Sequence, residues 1–422
     1  MLNTIWISFF LFSALSALYH LLFLHRTDIL QQIMDALFKM AETGFTISIG
    51  LTGVMALWLG IMRIGESGGM VSIISRIIAP FFRKLFPDVP DNHPAFGAMI
   101  MNLAANMLGL DNAATPLGIK AMRELQELNP SEDTASNAQI MFLVINTSSV
   151  TLIPVTIFTY LYQLNYPNPT ELFIPILIAT SCSTLAGLMA VSLYQRINLL
   201  QPVILAFILG FMMFISALIT LLLSMEKTEM QTVSLLISNS VIFGIVILFI
   251  SFAAVKKVNV YEEFIQGAKE GFQVAISIIP YLIAMLVAIG VFRASGGLDL
   301  LLDGIELLFS LAGRSLDALG ILSYQGGAPA FIDALPTGMM KPLSGSGARG
   351  MMIETIQTHG VHALPAKMSA VMQGSTETTF YVIAVYFGAV GIRKTRHAVP
   401  CGLIADGAGI IAAIIISYLF WG

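Results

Sequence analysis

The stretch "ALPAKMSAVMQGSTETTFYVIAVYFGAV", residues 363–390, decides how this chain is read. It is long enough to cross a bilayer, which takes about 20 apolar residues in a helix. Its middle nevertheless carries Ser375, Thr376, Glu377, Thr378 and Thr379 in succession. A charge at the centre of a lipid-facing helix costs about 2.5–3.5 kcal/mol on the insertion scale. A run of Ser and Thr also competes with the backbone for hydrogen bonds and favours unwinding. The segment therefore reads as a crossing broken at mid-depth, its freed polar groups turned toward protein or a wet cavity.

Composition agrees. The chain has 422 residues, 56% hydrophobic and 11% charged, with mean hydropathy +0.83. Soluble domains carry about 25% charged residues, so an all-α polytopic membrane protein is expected. Nothing resembles a basic nucleic-acid patch, a Walker motif or a nucleophile–base set, which argues against nucleic-acid binding, primary pumping and enzymatic catalysis. Cys182 and Cys401 have no ligand spacing, and His359 and His362 lack a third ligand, so no metal or cofactor is expected. The first 24 residues lack a basic n-region and a cleavage site and read as a retained membrane helix.

Nine crossings are expected, at 3–24, 44–64, 138–163, 171–194, 199–224, 231–255, 273–293, 363–390 and 397–421. Four amphipathic stretches, at 27–42, 70–86, 260–271 and 298–313, read as helices lying in the interface. Two further regions read as re-entrant hairpins. "HPAFGAMIMNLAANMLGLDNAATPLGIKAMRELQEL" (93–128) breaks at 109–116. "DALGILSYQGGAPAFIDALPTGMMKPLSGSGARGMMIETIQ" (317–357) is interrupted by Gly326, Gly327, Pro336, Pro342 and "SGSG". With the N-terminus inside, eleven basic residues fall on the cytoplasmic side and five outside, which places the C-terminus outside.

The chain also resembles itself at a separation of about 227 residues. "AETGFTISI" (41–49) matches "AKEGFQVAI" (268–276), "SSVTLIPV" (148–155) matches "STETTFYV" (375–382), and "LIAT" (177–180) matches "LIAD" (403–406). Five crossings separate equivalent points, so the second repeat is inverted. The expected divisions are a first repeat at 1–196, a linking helix at 197–230 and a second repeat at 231–422. Inverted repeats, broken helices and a midplane site are the plan of many secondary transporters.

The mate of "GSTETTF" (374–380) is "NTSSVTL" (146–152), so both halves interrupt the same helix. Candidate lining groups are Asn146, Thr147, Ser148 and Ser149 from the first break, and Gln373, Ser375, Thr376, Glu377 and Thr378 from the second. The hairpins add Asn102, Asn106, Asn112, Ser344 and Ser346, with Arg349 and Asp406 as second choices. Glu377 is either a solute or ion ligand or one half of a structural pair with Arg349. Asn112 is equally well explained as a cap for the helix at Pro116. Only the second half carries these acids, because Val150 and Thr180 stand at the positions of Glu377 and Asp406.

"GLDNAATPLGIKAMRELQ" (109–126) and "INTSSVTLIP" (145–154) resemble the spore maturation protein A family. "VNVYEEFIQGAKEGF", "LPTGMMKPLSGSGARGMM" and "QGSTETTFYVIAVYFG" resemble spore maturation protein B. The chain looks like a fusion of the two, within the Gate or nucleoside-recognition group, which is similar to parts of concentrative nucleoside transporters and ferrous-iron permeases. The resemblance implies a transporter-like fold in a bacterial cytoplasmic membrane. It carries over neither nucleoside specificity nor a sporulation role. The function expected is secondary transport of a small polar or charged solute, coupled to H⁺ or Na⁺. Rival readings are a non-transporting scaffold and a channel. The expected partners are the lipid bilayer, the solute and, as the pseudo-symmetry permits, a second copy in a homo-oligomer.

Overall fold

The computed structural model describes residues 2–90, 93–108, 111–318 and 329–422, all of whose regular elements are helical. The first half comprises α1 (Leu2–Leu22), α2 (Ile29–Ser67), α3 (Met70–Leu85), α4 (Pro94–Met107), α5 (Asp111–Glu127), α6 (Asn137–Thr147), α7 (Val155–Gln163) and α8 (Phe173–Gln195). After α9 (Pro202–Leu223) come α10 (Lys227–Val255), α11 (Val260–Ala294), α12 (Gly297–Ala318), α13 (Phe331–Met340), α14 (Gly345–His359), α15 (Leu364–Gly374), α16 (Thr379–Gly388) and α17 (Ala398–Trp421). The two halves keep one register. From α6 to α15 the start moves from 137 to 364 and the end from 147 to 374, both by 227 residues.

Among the described residues, six segments are long and apolar enough to cross a membrane, namely α2, α8 with its preceding turn, α9, α10, α11 and α17. The chain is thus a multi-pass membrane protein. Three of the nine expected crossings take another form. The apolar part of α1 is shorter, and the segments at 138–163 and 363–390 are each split, into α6 with α7 and α15 with α16. The helices of the split segments have 9–11 residues, too few to span the hydrocarbon alone.

Two expectations are corrected. The stretches 27–42 and 260–271 are not separate interfacial helices but run unbroken into α2 and α11. Gly44 and Gly271 stand at the two junctions, but no proline or cap does, and both helices run on through the glycines, which serve close packing instead of a stop. α3 and α12 remain separate, each preceded by a glycine with positive φ, Gly69 and Gly296.

α2 and α11 pack antiparallel at close range. Gly44 lies against Ile283, Gly271 against Met55 and Ala56, and Gly60 against Phe264. Shifted by the repeat offset, the Gly44–Ile283 contact becomes the Ala56–Gly271 contact, so the packing maps onto itself when the halves are exchanged. α8 and α17 also run antiparallel, with Gly187 beside Ala405 and Gly409 beside Ser183. At the centre, Ile140 to Val144 on α6 are fully buried on every side, as expected of a helix apolar all round. α9 is the least covered apolar span and faces outward.

Candidate functional site

At each break a serine hydroxyl joins its own amide in donating to a carbonyl of the last helical turn. Ser148 Oγ donates to Val144 O at 2.8 Å, and Ser375 Oγ donates to Met372 O at 2.9 Å. Pro154 then removes one amide at the start of α7. Behind each break sits a glycine of the next long helix, Gly187 against Ser148 Oγ and Gly409 against Ser375 O. In each half a carbonyl at or just beyond the end of the first hairpin helix accepts an amide from the far side of the break. Leu152 N donates to Met107 O at 2.8 Å, and Phe380 N donates to Pro342 O at 3.0 Å.

The breaks touch each other. Glu377 N and Thr376 Oγ1 both donate to Thr147 O, each at 2.8 Å. Thr147 Oγ1 lies 2.6 Å from Thr379 Oγ1. Asp406, 1% exposed, accepts from Thr376 Oγ1 and Thr379 Oγ1, both at 2.6 Å.

A cavity of about 770 Å³ opens between the second hairpin, the second break and α16. Such a volume suits a small-molecule site. Its polar walls are Asn106, Thr115 and Asn146 from the first half, with Lys341, Ser344, Ser346, Arg349, Glu377 and Thr378 from the second. A smaller cavity of about 80 Å³ lies toward the first break, with room for several waters. Asn106, Lys341, Arg349 and Glu377 line both cavities, so the charged groups stand at the partition between them.

The sequence candidates separate into three groups. Asn106, Asn146, Ser344, Ser346, Arg349, Glu377 and Thr378 line the larger cavity; Ser149, Gln373 and Thr376 line the smaller. Asn102, Thr147, Ser148, Ser375 and Asp406 are buried and line neither. Asn102 closes the first hairpin by donating to Ala114 O at 2.7 Å. The Asn112 side chain lies outside the described residues, as do Gly326 and Gly327.

Glu377 is exposed to the cavity, and among the described residues no ion pair joins it to Arg349. The structural pair, one of the two readings of Glu377, is therefore not formed. The Arg349 guanidinium sits 5.9 Å from the centre of the Tyr160 ring, its Nε buried without a hydrogen-bond partner. Gln373 Oε1 is likewise buried and unpartnered.

Polar lining groups outside the candidate set include Thr115, Tyr386 and Lys341, the last read from sequence as either an anion ligand or a holder of carboxylates. Lys341, 5% exposed, touches both cavities. Tyr386 donates its hydroxyl to Asn146 Oδ1 at 3.3 Å and accepts from Asn102 Nδ2 at 3.2 Å. The one signal for Tyr386 is general: a phenol in an apolar helix needs a polar partner.

A family model described as "Gate: Nucleoside recognition" matches residues 48–162, which include the first hairpin and the first break. Spore maturation protein A of Bacillus subtilis (strain 168) is 42% identical over 188 residues, 44% of this chain and 92% of the relative. Spore maturation protein B of the same organism is 45% identical over 171 residues, 40% of this chain and 87% of the relative. The two matches fall on different parts of the chain. The chain belongs to the spore maturation protein A and B family. No solved structure matches it. Within this spore maturation A–B chain the larger cavity draws on both halves, Asn106 and Asn146 from one and the charged groups from the other.

Proposed function

We propose that this A–B protein is a secondary transporter of a small polar solute carrying an acidic group, coupled to H⁺ or Na⁺. The observation that carries the reading is Glu377, Arg349 and Lys341 lining a solute-sized cavity between two broken helices. A scaffold that had lost its pathway would close that space and neutralise its charges against one another. Instead the guanidinium lies over Tyr160, and Glu377 opens onto the cavity. Two cationic side chains and the first turn of α14 (Ser344, Gly345, Ser346) favour an anionic group on the solute. Glu377 adds a place for an ammonium, so amino acids and related zwitterions fit the lining best.

The transport route proposed is alternating access by inverted repeats, with α4–α5 and α13–α14 as re-entrant hairpins. The self-mapped glycine contacts of α2 with α11 support a two-fold axis across the helices. The paired hairpin-to-break hydrogen bonds support the same axis.

The test is a thermal-shift screen of purified protein with amino acids, small carboxylates, inorganic phosphate and nucleosides, repeated on Glu377→Gln. Solutes that stabilise the parent are then offered to proteoliposomes under an imposed proton or sodium gradient. Zwitterions should stabilise the parent, lose most of that shift in Glu377→Gln, and accumulate against their gradient. Equal shifts in both proteins would remove Glu377 from binding. Flux that only follows the solute's own gradient at channel-like rates would replace the transporter by a channel.

A further inference from the structure

We infer that the buried carboxyl of Asp406 is a proton-binding site whose occupancy latches the two broken helices together. The argument is a count of protons. Around Asp406 lie four short oxygen–oxygen contacts: Thr376 Oγ1 to Asp406 Oδ1 at 2.6 Å, Thr376 Oγ1 to Thr147 O at 2.8 Å, Thr379 Oγ1 to Asp406 Oδ2 at 2.6 Å, and Thr379 Oγ1 to Thr147 Oγ1 at 2.6 Å. All four fall in the hydrogen-bond range for oxygen pairs. The three hydroxyls supply three protons, and the carboxylate and the carbonyl supply none.

With Asp406 ionised, Thr376 and Thr379 each donate to the carboxylate and Thr147 donates to Thr379. Thr376 Oγ1 then faces Thr147 O at 2.8 Å with no proton between them, two acceptors in contact. Thr376 Oγ1 also lies 3.4 Å from Glu377 O, a longer approach that offers no proton either. One added proton on Oδ1 completes the set. Asp406 Oδ1–H donates to Thr376, Thr376 donates to Thr147 O, Thr147 donates to Thr379, and Thr379 donates to Oδ2. Every contact is then a hydrogen bond.

The spacing also favours a proton over a metal cation. A cation of Na⁺ or Ca²⁺ size holds each oxygen about 2.3–2.6 Å away and spreads its ligands further apart than that. Oxygens 2.6 Å from one another are hydrogen-bonded pairs. Burial at 1% exposure acts in the same direction, since an ion there loses its hydration and must be paired. Few charges are near. Of the helices packed on α17, α6, α8 and α16 contain no charged residue, α10 carries charge only in its first turn, and Lys367 of α15 pairs with Glu171. Lys341 and Glu377 are the charged groups whose fields reach Asp406.

The latch follows from the same geometry. Thr147 O belongs to the first break, and Thr376 belongs to the second. In the protonated state the Thr376 hydroxyl adds a third bond to those of Glu377 N with Thr147 O and Thr147 with Thr379; in the ionised state it turns to the carboxylate, and that added bond is lost while the other two remain. The proton leaves Oδ1 for Thr376 Oγ1 as the Thr376 proton passes to water in the smaller cavity, which Thr376 lines. The net step is release of H⁺ to solvent. Its use in coupling rests on the transport reading above; the proton site itself does not.

Infrared pH-difference spectra of the purified full chain, with deuterium exchange, test the site without any transport assay. At neutral pH the wild type should show a carboxylic-acid carbonyl band that is absent in Asp406→Asn and retained in Glu377→Gln. In Thr379→Val the band should persist and move to higher frequency as Oδ2 loses its donor; this variant carries the test if Asp406→Asn fails to fold. No band in the wild type overturns the inference. So does a band that survives Asp406→Asn, one that vanishes with Glu377, or one left unmoved by Thr379→Val. A band abolished by sodium chloride but not by choline chloride would give the site to Na⁺ and overturn the proton.

Discussion

Replacing Gly271 by alanine adds one methyl group at a close backbone approach between α2 and α11. A Cβ built there lies 2.6 Å from Met55 O and 2.7 Å from Ala56 Cα. Comfortable carbon contacts are about 3.5–4.0 Å, and neither atom can rotate aside. The helices must therefore part by roughly 0.8 Å at this level, with loss of contact on both sides. Overpacking of this kind costs about 1–3 kcal/mol. The helical propensity gained in going from glycine to alanine returns up to about 1 kcal/mol, so a net loss of about 1–2 kcal/mol is expected. At the mate position the penalty is smaller. A Cβ at Gly44 would meet Ile283 Cγ1 at 3.0 Å, a side-chain atom that can move, and Ile283 Cα at 3.1 Å. Gly53 on the same helix as Gly44 has nothing within 4 Å and is the control, where alanine should be neutral or stabilising. Thermal unfolding in detergent should rank the variants Gly53→Ala at or above wild type, then Gly44→Ala, then Gly271→Ala lowest. Gly271→Ala as stable as Gly53→Ala would refute the close antiparallel packing on which the two-fold relation rests.

Tyr386→Phe removes a hydroxyl that joins Asn102 to Asn146 at the cavity wall; a loss of about 0.5–1.5 kcal/mol is expected, read as a lowered melting temperature. Solute-induced stabilisation should weaken too, because Asn146 loses one of the contacts that hold its carbonyl in place. His397 precedes α17, its ring stacked on Tyr194 with centroids 5.2 Å apart and its Nε2 3.1 Å from Gln195 Nε2. Burial first, and the nearby Arg396 second, hold its pKa below the usual 6.5. A depressed folded-state value means the neutral ring stabilises the fold fully above pH 6.5, and that contribution is lost as pH falls through the folded value. His397→Phe keeps the stacked ring without the titration, so its melting temperature should fall less than that of the wild type between neutral and mildly acidic pH. Parallel falls would refute the assignment.

The frame was legible because its signals are strong ones. Polar runs inside apolar segments marked both breaks, and a constant offset marked the duplication at the level of whole helices. The lengths of α2 and α11 were not legible, since the end of an amphipathic pattern is not the end of a helix unless a cap or a proline stops it. The site was legible by depth rather than by role. Spacing placed Asn106, Asn146 and Glu377 at the level of the cavity, but a hydroxyl run does not say which members turn inward. Thr147 faces Thr379 of the other break and Ser375 bonds back to its own helix, while Thr376 faces the smaller cavity. The partner proposed for Glu377 failed for a similar reason: Arg349 has an aromatic face nearby, and Tyr160 lies eleven positions beyond Ser149, where no local pattern connects it to the second hairpin.

The two halves share a frame and differ in their acids. Both halves supply a broken helix and a hairpin carbonyl that accepts an amide across the break. The first half keeps Val150 and Thr180 where the second has Glu377 and Asp406. If both halves carried acids, two buried carboxyls would crowd the junction and repel each other. If neither did, the junction would be a static hydrogen-bonded seam. One acid per level, met by the other half's carbonyl and hydroxyl, makes the seam responsive to a single proton. The same division holds in the cavity, where one half contributes neutral amides and the other the charges.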